Sequence, residues 1–187
     1  MFPQLHSGEL YDPGEPELQK YQAECLERLY DFNATRPSQG EERQRLLKEM
    51  FADCGEDCYV EPPFHANFGG RHCHFGAGVY ANFNLTCVDD THIWVGDGTK
   101  FGPNVTLVTA THPTDPEERS GGMQYNRPVH IGKNCWLGAG VTVLPGVTIG
   151  DDTVIGAGSL VTKDIPSGVV AYGSPCRVVR KARDPQK

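Results

Sequence analysis

From Glu17 to Phe32 the apolar residues Leu18, Tyr21, Cys25, Leu29 and Phe32 recur at spacings of three and four. That period puts them on one face of a helix. Pro37 interrupts it. Ser38-Gln39-Gly40-Glu41 has the spacing of a capping box, so Ser38 is expected to cap a second helix. This helix is expected to run to about Ala52, with Leu46, Leu47, Met50 and Phe51 apolar. So short a helix pair buries little on its own and should pack on the remainder of the chain. Residues 1–58 read as this helical segment, and 59–187 as a second unit with a different period.

In that second unit Ile131, Leu137, Val143, Ile149, Ile155 and Val161 succeed one another at intervals of six. The next residue is usually small, as at Gly132, Gly138, Gly150 and Gly156, with Leu144 and Thr162 departing. Val95-Gly96, Phe101-Gly102 and Leu107 repeat the pattern earlier, and Phe75-Gly76 begins a weaker run. A period of six matches neither a helix nor simple strand alternation. It predicts a chain that turns a corner after each short strand, with an aliphatic side chain inward and the small residue at the bend. Three such sides close a coil of about 18 residues, and stacked coils bury the aliphatic columns. Flat coil sides also favour a homo-oligomer.

Composition sharpens this picture. The chain has 187 residues and 22 glycines, eighteen of them at or after Gly69. The net charge of −7 argues against a nucleic-acid partner, although Arg177, Arg180, Lys181 and Arg183 form a basic C-terminal cluster. No run of about 18 apolar residues predicts a membrane span. The stretch from Met1 to Asp12 lacks the pattern of a secretory signal, which points to the cytoplasm. Seven cysteines, an odd number at scattered spacings, do not suggest a disulfide framework. The sequons at Asn33, Asn84 and Asn104 read as coincidental.

The repeat has one large interruption. Leu107 and Ile131 are 24 residues apart, and 111–128 is a polar insertion. Long insertions in regular coils tend to carry function. His112 stands at its start, ahead of Pro113. An imidazole titrates near neutrality and suits removal of a proton from a hydroxyl. On the residues alone, His112 is either such a base or a surface histidine. Likewise Asn82 fits a side-chain ladder between coils.

Four blocks carry a resemblance. They are Tyr80-Ala81-Asn82-Phe83-Asn84, Thr109-Ala110-Thr111-His112-Pro113, Pro145 to Asp151, and Gly156 to Pro166 with its Thr162-Lys163-Asp164. They resemble the maltose/galactoside O-acetyltransferase group of the hexapeptide-repeat acyltransferases over nearly the whole chain. The resemblance implies a mainly β fold, a left-handed parallel β-helix of hexapeptide repeats with an N-terminal helical segment. The handedness comes from the resemblance alone, because it opposes the usual crossover rule. It further implies a homotrimer with sites between subunits, and transfer of acetyl from acetyl-CoA directly to a sugar hydroxyl. No metal is implied. In that group His112 matches the general base, and Asn82 a residue beside the thioester. The backbone N–H of Ala139 matches a donor to the developing oxyanion. Ala157, Thr162 and Lys163 match positions along the coenzyme A groove, and Arg177 and Arg180 positions near its phosphates. Trp136 could line that groove or merely pack. Asp90 and Asn67 match acceptor contacts, and Asp12 lies in a segment the group uses as a lid. Gln22 stands where the galactoside enzymes carry an acceptor-binding Arg, which leaves the sugar open.

Two other classes share such a coil. A gamma-class carbonic anhydrase needs three His around zinc, and the seven His here include no His-x4-His pair. A non-catalytic scaffold would have no reason to hold His112, Lys163 and Arg180 together. Within acyl transfer, an amine, antibiotic or other small-molecule acceptor is the alternative to a sugar.

Overall fold

The structure is a computed structural model that describes residues 2–183. Helix α1, Pro16–Asn33, buries Leu18, Cys25, Leu29 and Phe32, the face expected from the spacing. Helix α2, Gly40–Met50, begins one residue after Gln39. The capping box does not form. The Gln39 side-chain oxygen instead accepts the Arg36 N–H at 2.7 Å, closing a tight turn that leaves Ser38 outside the helix. Both helices plug the open N-terminal end of the coil. Phe51, just past α2, packs between the rings of Phe64 and Phe75 at 5.5 and 4.9 Å. At the end of α1, Asn33 exchanges two 2.8 Å hydrogen bonds with the backbone of Phe64. That commits the first sequon's amide to the fold.

The coil has three parallel sides. The first stacks Asp53–Cys54, Cys73–Phe75, Ile93–Val95, Val129–Ile131 and Thr148–Ile149. The second stacks Tyr59–Val60, Tyr80–Ala81, Lys100–Phe101, Trp136–Leu137, Val154–Ile155 and Val169–Tyr172. Arg177–Lys181 closes that side as an antiparallel edge strand. The third stacks His65–Ala66, Thr86–Val88, Thr106–Val108, Thr142–Val143 and Leu160–Val161. Partners stand 18 residues apart in the regular coils, as Trp136 with Val154 and Thr142 with Leu160. Across the insertion they stand 36 apart, as Thr106 with Thr142. The insertion therefore spends the length of one whole coil and returns the chain in register. All six residues of the six-spaced series point inward and are buried.

The expected role of the glycines needs correction. Within the six-spaced run the residues with positive φ are Asn134, Gly140, Gly146, Asp152 and Gly158, three places after the inward residues from Ile131 to Ile155. Those are the bends. The glycines immediately after the aliphatic residues serve another purpose. A Cβ on Gly138 would lie 2.6 Å from the backbone N of Ala157 on the next coil. These positions are small because neighbouring coils approach too closely for a side chain. Asn84 and Asn104, in the other two sequons, also occupy left-handed bends, which Asn tolerates better than most residues.

Candidate active site

The insertion leaves the coil at the corner between the third and first sides. Ala110–Thr111 pairs antiparallel with Tyr125–Asn126, making a two-stranded stalk. Between them lies a short helix α3, Pro116–Ser120, capped by Asp115, which accepts the N–H groups of Glu117 and Glu118 at 2.9 and 3.1 Å. His112 emerges at the top of the stalk with its ring exposed. Its Nδ1 lies 2.8 Å from the carbonyl oxygen of Met123 on the returning strand. A carbonyl only accepts, so Nδ1 carries the proton and Nε2 keeps a lone pair facing outward.

The same corner on the two coils before it carries Asn67 and Asp90. The Asn67 amide donates to Asp90 Oδ2 at 2.8 Å, and the Gln124 amide donates to Asp90 Oδ1 at 2.8 Å. Burial raises the Asp90 pKa above the usual carboxylate value, while the Gln124 and Asn67 hydrogen bonds pull the other way. His112, Asp90 and Asn67 are thus brought to one corner. Thr162 and Lys163 come after the last strand of the third side at this corner, half-buried and exposed respectively.

An N-terminal strap closes over this corner. Leu5 and Tyr11 are buried with Leu18 of α1 and Phe68 of the coil in a small second core. The strap and insertion bound a cavity of about 350 Å³ lined in part by Leu10, Pro113, Tyr125 and Arg127. Asp12 is next to Tyr11 but exposed, and its carboxylate accepts the Gly14 N–H at 2.7 Å. Its side chain is turned into its own loop and makes no hydrogen bond to Asp90 or Asn67. Gln22 is half-buried on α1 beside Tyr21, whose ring lies 6.1 Å from that of Phe68.

The remaining residues line the opposite corner, between the second and third sides. Asn82 sits there, its Oδ1 accepting the Phe83 N–H at 2.8 Å. Ala139 and Ala157 stack above it, both exposed. At the matching place on the first-to-second corner, the Ala77 and Lys133 N–H groups are taken by Asp97 and Asp151. Among the described residues the Ala139 and Ala157 N–H groups meet no such acceptor. Arg177 pairs with Tyr172 at this end of the last strand, and Arg180 lies further along it. Trp136 is 58 % exposed on the outer face of the second side. It lines a larger cavity of about 720 Å³ with Lys100, Lys181 and Arg183, away from His112.

Sequence reasoning did not single out Tyr11, Met123, Gln124 and Asn126. The one available signal was the polar pair flanking Tyr125 inside the insertion. A second cluster lies where the strap meets the first side of the coil. His6 of the strap stacks on His92 at 4.3 Å, and His92 shares a 2.8 Å hydrogen bond with His74. Among the described residues no group of three His, Cys, Asp or Glu side chains is arranged to hold a metal ion.

Residues 4–55 match the maltose acetyltransferase hexapeptide capping motif, and residues 128–163 match the bacterial transferase hexapeptide in six repeats. A galactoside O-acetyltransferase of Lactococcus lactis subsp. lactis (strain IL1403) is 58 % identical over 183 residues, which is 98 % of this chain and 88 % of that one. The fold superposes on a maltose O-acetyltransferase from Clostridium difficile 630 with a TM-score of 0.94 at 39 % identity, covering 97 % of this chain and 96 % of the other. It superposes equally, at 0.94 and 46 % identity, on a galactoside acetyltransferase in complex with coenzyme A, covering 98 % and 91 %.

Proposed function

Because this chain belongs to the maltose/galactoside O-acetyltransferase group of the hexapeptide-repeat acyltransferases, we propose a direct-transfer mechanism that its own residues would carry out. The protein is an acetyl-CoA-dependent O-acetyltransferase of sugar hydroxyls. The observation that carries the mechanism is the His112 hydrogen bond to the Met123 carbonyl, at the corner that also holds Asp90 and Asn67.

In this reading a sugar hydroxyl donates to Asp90, and His112 Nε2 takes the proton from the reacting hydroxyl. The oxygen attacks the thioester carbon. Negative charge develops on the carbonyl oxygen, where a fixed donor is worth most. The unspent Ala139 N–H supports it in that role, and the Asn82 amide, two coils away along the same corner, would help hold the reacting groups. Collapse breaks the C–S bond, and the leaving thiolate receives the proton held by His112. No cysteine is needed as nucleophile.

Coenzyme A fits the second-to-third corner because its amide-rich arm needs backbone partners, which Ala157 offers. Thr162 and Lys163, at the third-to-first corner, would extend the groove from a neighbouring copy. Arg177 and Arg180 suit the phosphates, since a guanidinium meets phosphate oxygens with a planar fork. His112 and Asn82 belong to two different corners of one chain. A homotrimer in which the third-to-first corner of one copy meets the second-to-third corner of the next would unite them. Asp12 would complete the acceptor wall on turning out of its loop. The cytoplasm is the matching compartment, because it supplies acetyl-CoA and keeps thiols such as the seven free cysteines reduced.

The acceptor is tested by offering free hexoses, glycosides and small amines with acetyl-CoA and measuring release of the coenzyme A thiol. Sugar-dependent release with an O-acetyl product is expected. Release with amines alone would contradict the reading.

A further inference from the structure

Tyr11 and Gln124 are 113 positions apart and meet as an antiparallel bridge. The Tyr11 N–H donates to the Gln124 carbonyl at 2.9 Å, and the Gln124 N–H donates back at 3.0 Å. The buried Gln124 amide then donates to Asp90 Oδ1 at 2.8 Å and to the Tyr11 hydroxyl at 2.5 Å. Asn126 ties the same group to the strap, donating to the Leu5 carbonyl at 3.0 Å. With Asn67 on Oδ2, both oxygens of Asp90 are fixed by neutral amides from different parts of the fold. A neutral donor orients a carboxylate without cancelling its charge. The two oxygens offer four lone pairs, so beyond these amides and its own backbone N–H the carboxylate keeps capacity for one hydroxyl.

We propose that Gln124 is a positioning residue that aims Asp90 at the acceptor and locks the N-terminal strap to it. This rests on the reading that Asp90 takes a sugar hydroxyl. The backbone of the preceding residue, Met123, holds His112. Two consecutive residues thus serve two different parts of the reaction, one by its carbonyl and one by its side chain. Changing the Gln124 side chain should therefore disturb acceptor binding and spare the base. The backbone bridge to Tyr11 does not depend on the side chain and should persist.

The test is Gln124→Met, which keeps the side chain's length and removes its donor. The KM for a sugar acceptor should rise about 10–100-fold, the value of a hydrogen bond to a charged group. The kcat and the KM for acetyl-CoA should stay near wild type. Asp90, relieved of one stabilising donor, would protonate more easily. The acid limb of kcat/KM for the acceptor should therefore move to higher pH, which a merely structural role would not produce. Both KM values rising together, a fall in kcat with acceptor KM unchanged, or no change at all would overturn the proposal. Should Gln124→Met not fold, Gln124→Asn is read by the same criteria, because its amide stops one carbon short of Asp90. Wild-type enzyme that releases no thiol with any sugar would refute the parent reading and the proposal with it. An active wild type with an unaltered variant would sink the proposal alone.

Discussion

Asn82 and His112 stand at opposite edges of the third side of the coil, Asn82 where the chain enters that side and His112 where it leaves. If both act on one acetyl group, they come from different copies. Inactive Asn82→Ala and His112→Ala variants should then complement one another when co-assembled. Random mixing would restore one parental-type site in about four, given a cyclic assembly with one site per interface. Activity of the mixture no higher than either variant alone would contradict a shared site.

The bends and the close approaches make separable predictions. Gly138→Ala would drive a Cβ into the backbone of the next coil, 2.6 Å from Ala157 N. It should cost about 1–3 kcal/mol, as overpacking does. Gly140 has φ +68 and nothing within 4 Å of an added Cβ. Asn134 fills the same bend one side earlier. Gly140→Asn should therefore cost less than about 1 kcal/mol, since Asn tolerates the left-handed region. Chemical denaturation of both variants checks the order, and a more damaging Gly140→Asn would reverse the assignment of bends.

That pair also shows what the sequence could reveal. The inward positions were legible because each falls at the same point of a strand, so aliphatic residues recur without slippage. Two small positions also recur in most of the sixes, one beside the aliphatic residue and one two places later. Periodicity alone could not say which of them bends the chain. Register was legible too, since the insertion spends one coil's length. The clamp of Tyr11, Gln124 and Asp90 was not, because no period links residues 113 apart. His112 was legible as a candidate from its place at the start of the insertion. The Met123 carbonyl that fixes its tautomer is backbone, which leaves no trace in residue type.

Burial pushes His72 and His92 down to about 4, with neighbouring imidazoles adding to the effect. His92 faces His6 of the strap, His72 and His74, and His74 pairs with Asp53. Below the unfolded value of 6.5 the unfolded chain binds protons that the folded chain refuses. Stability should thus fall as pH drops from 6.5 towards 4, and these two groups add no pH dependence above 6.5. Melting temperatures of wild type and His92→Asn test this. The variant should lose less stability over that window, and an equal loss would contradict it.

Asp89 acts with the opposite sign. It is fully buried, and burial pushes it up to about 7, even though the Phe68 N–H donates to its Oδ1 at 2.7 Å. The folded chain therefore holds a proton that the unfolded chain releases between about pH 4 and 7. Its contribution is present at low pH and is lost as pH rises through about 7. Asp89→Asn keeps an acceptor for Phe68 and removes the charge. Relative to wild type it should gain stability at about pH 8 over about pH 5, on the order of a few kcal/mol. A constant difference between the two pH values would contradict this.

The most direct test of the mechanism is His112→Ala, with acetyl-CoA affinity and turnover measured on the same preparation. No residue of the proposed coenzyme groove depends on the imidazole, so affinity should be nearly unchanged. Turnover should fall about 10²–10⁴-fold, the worth of acid–base help in proton transfer. Near-wild-type turnover in His112→Ala, with acetyl-CoA still bound, would contradict the assignment of His112 as the base.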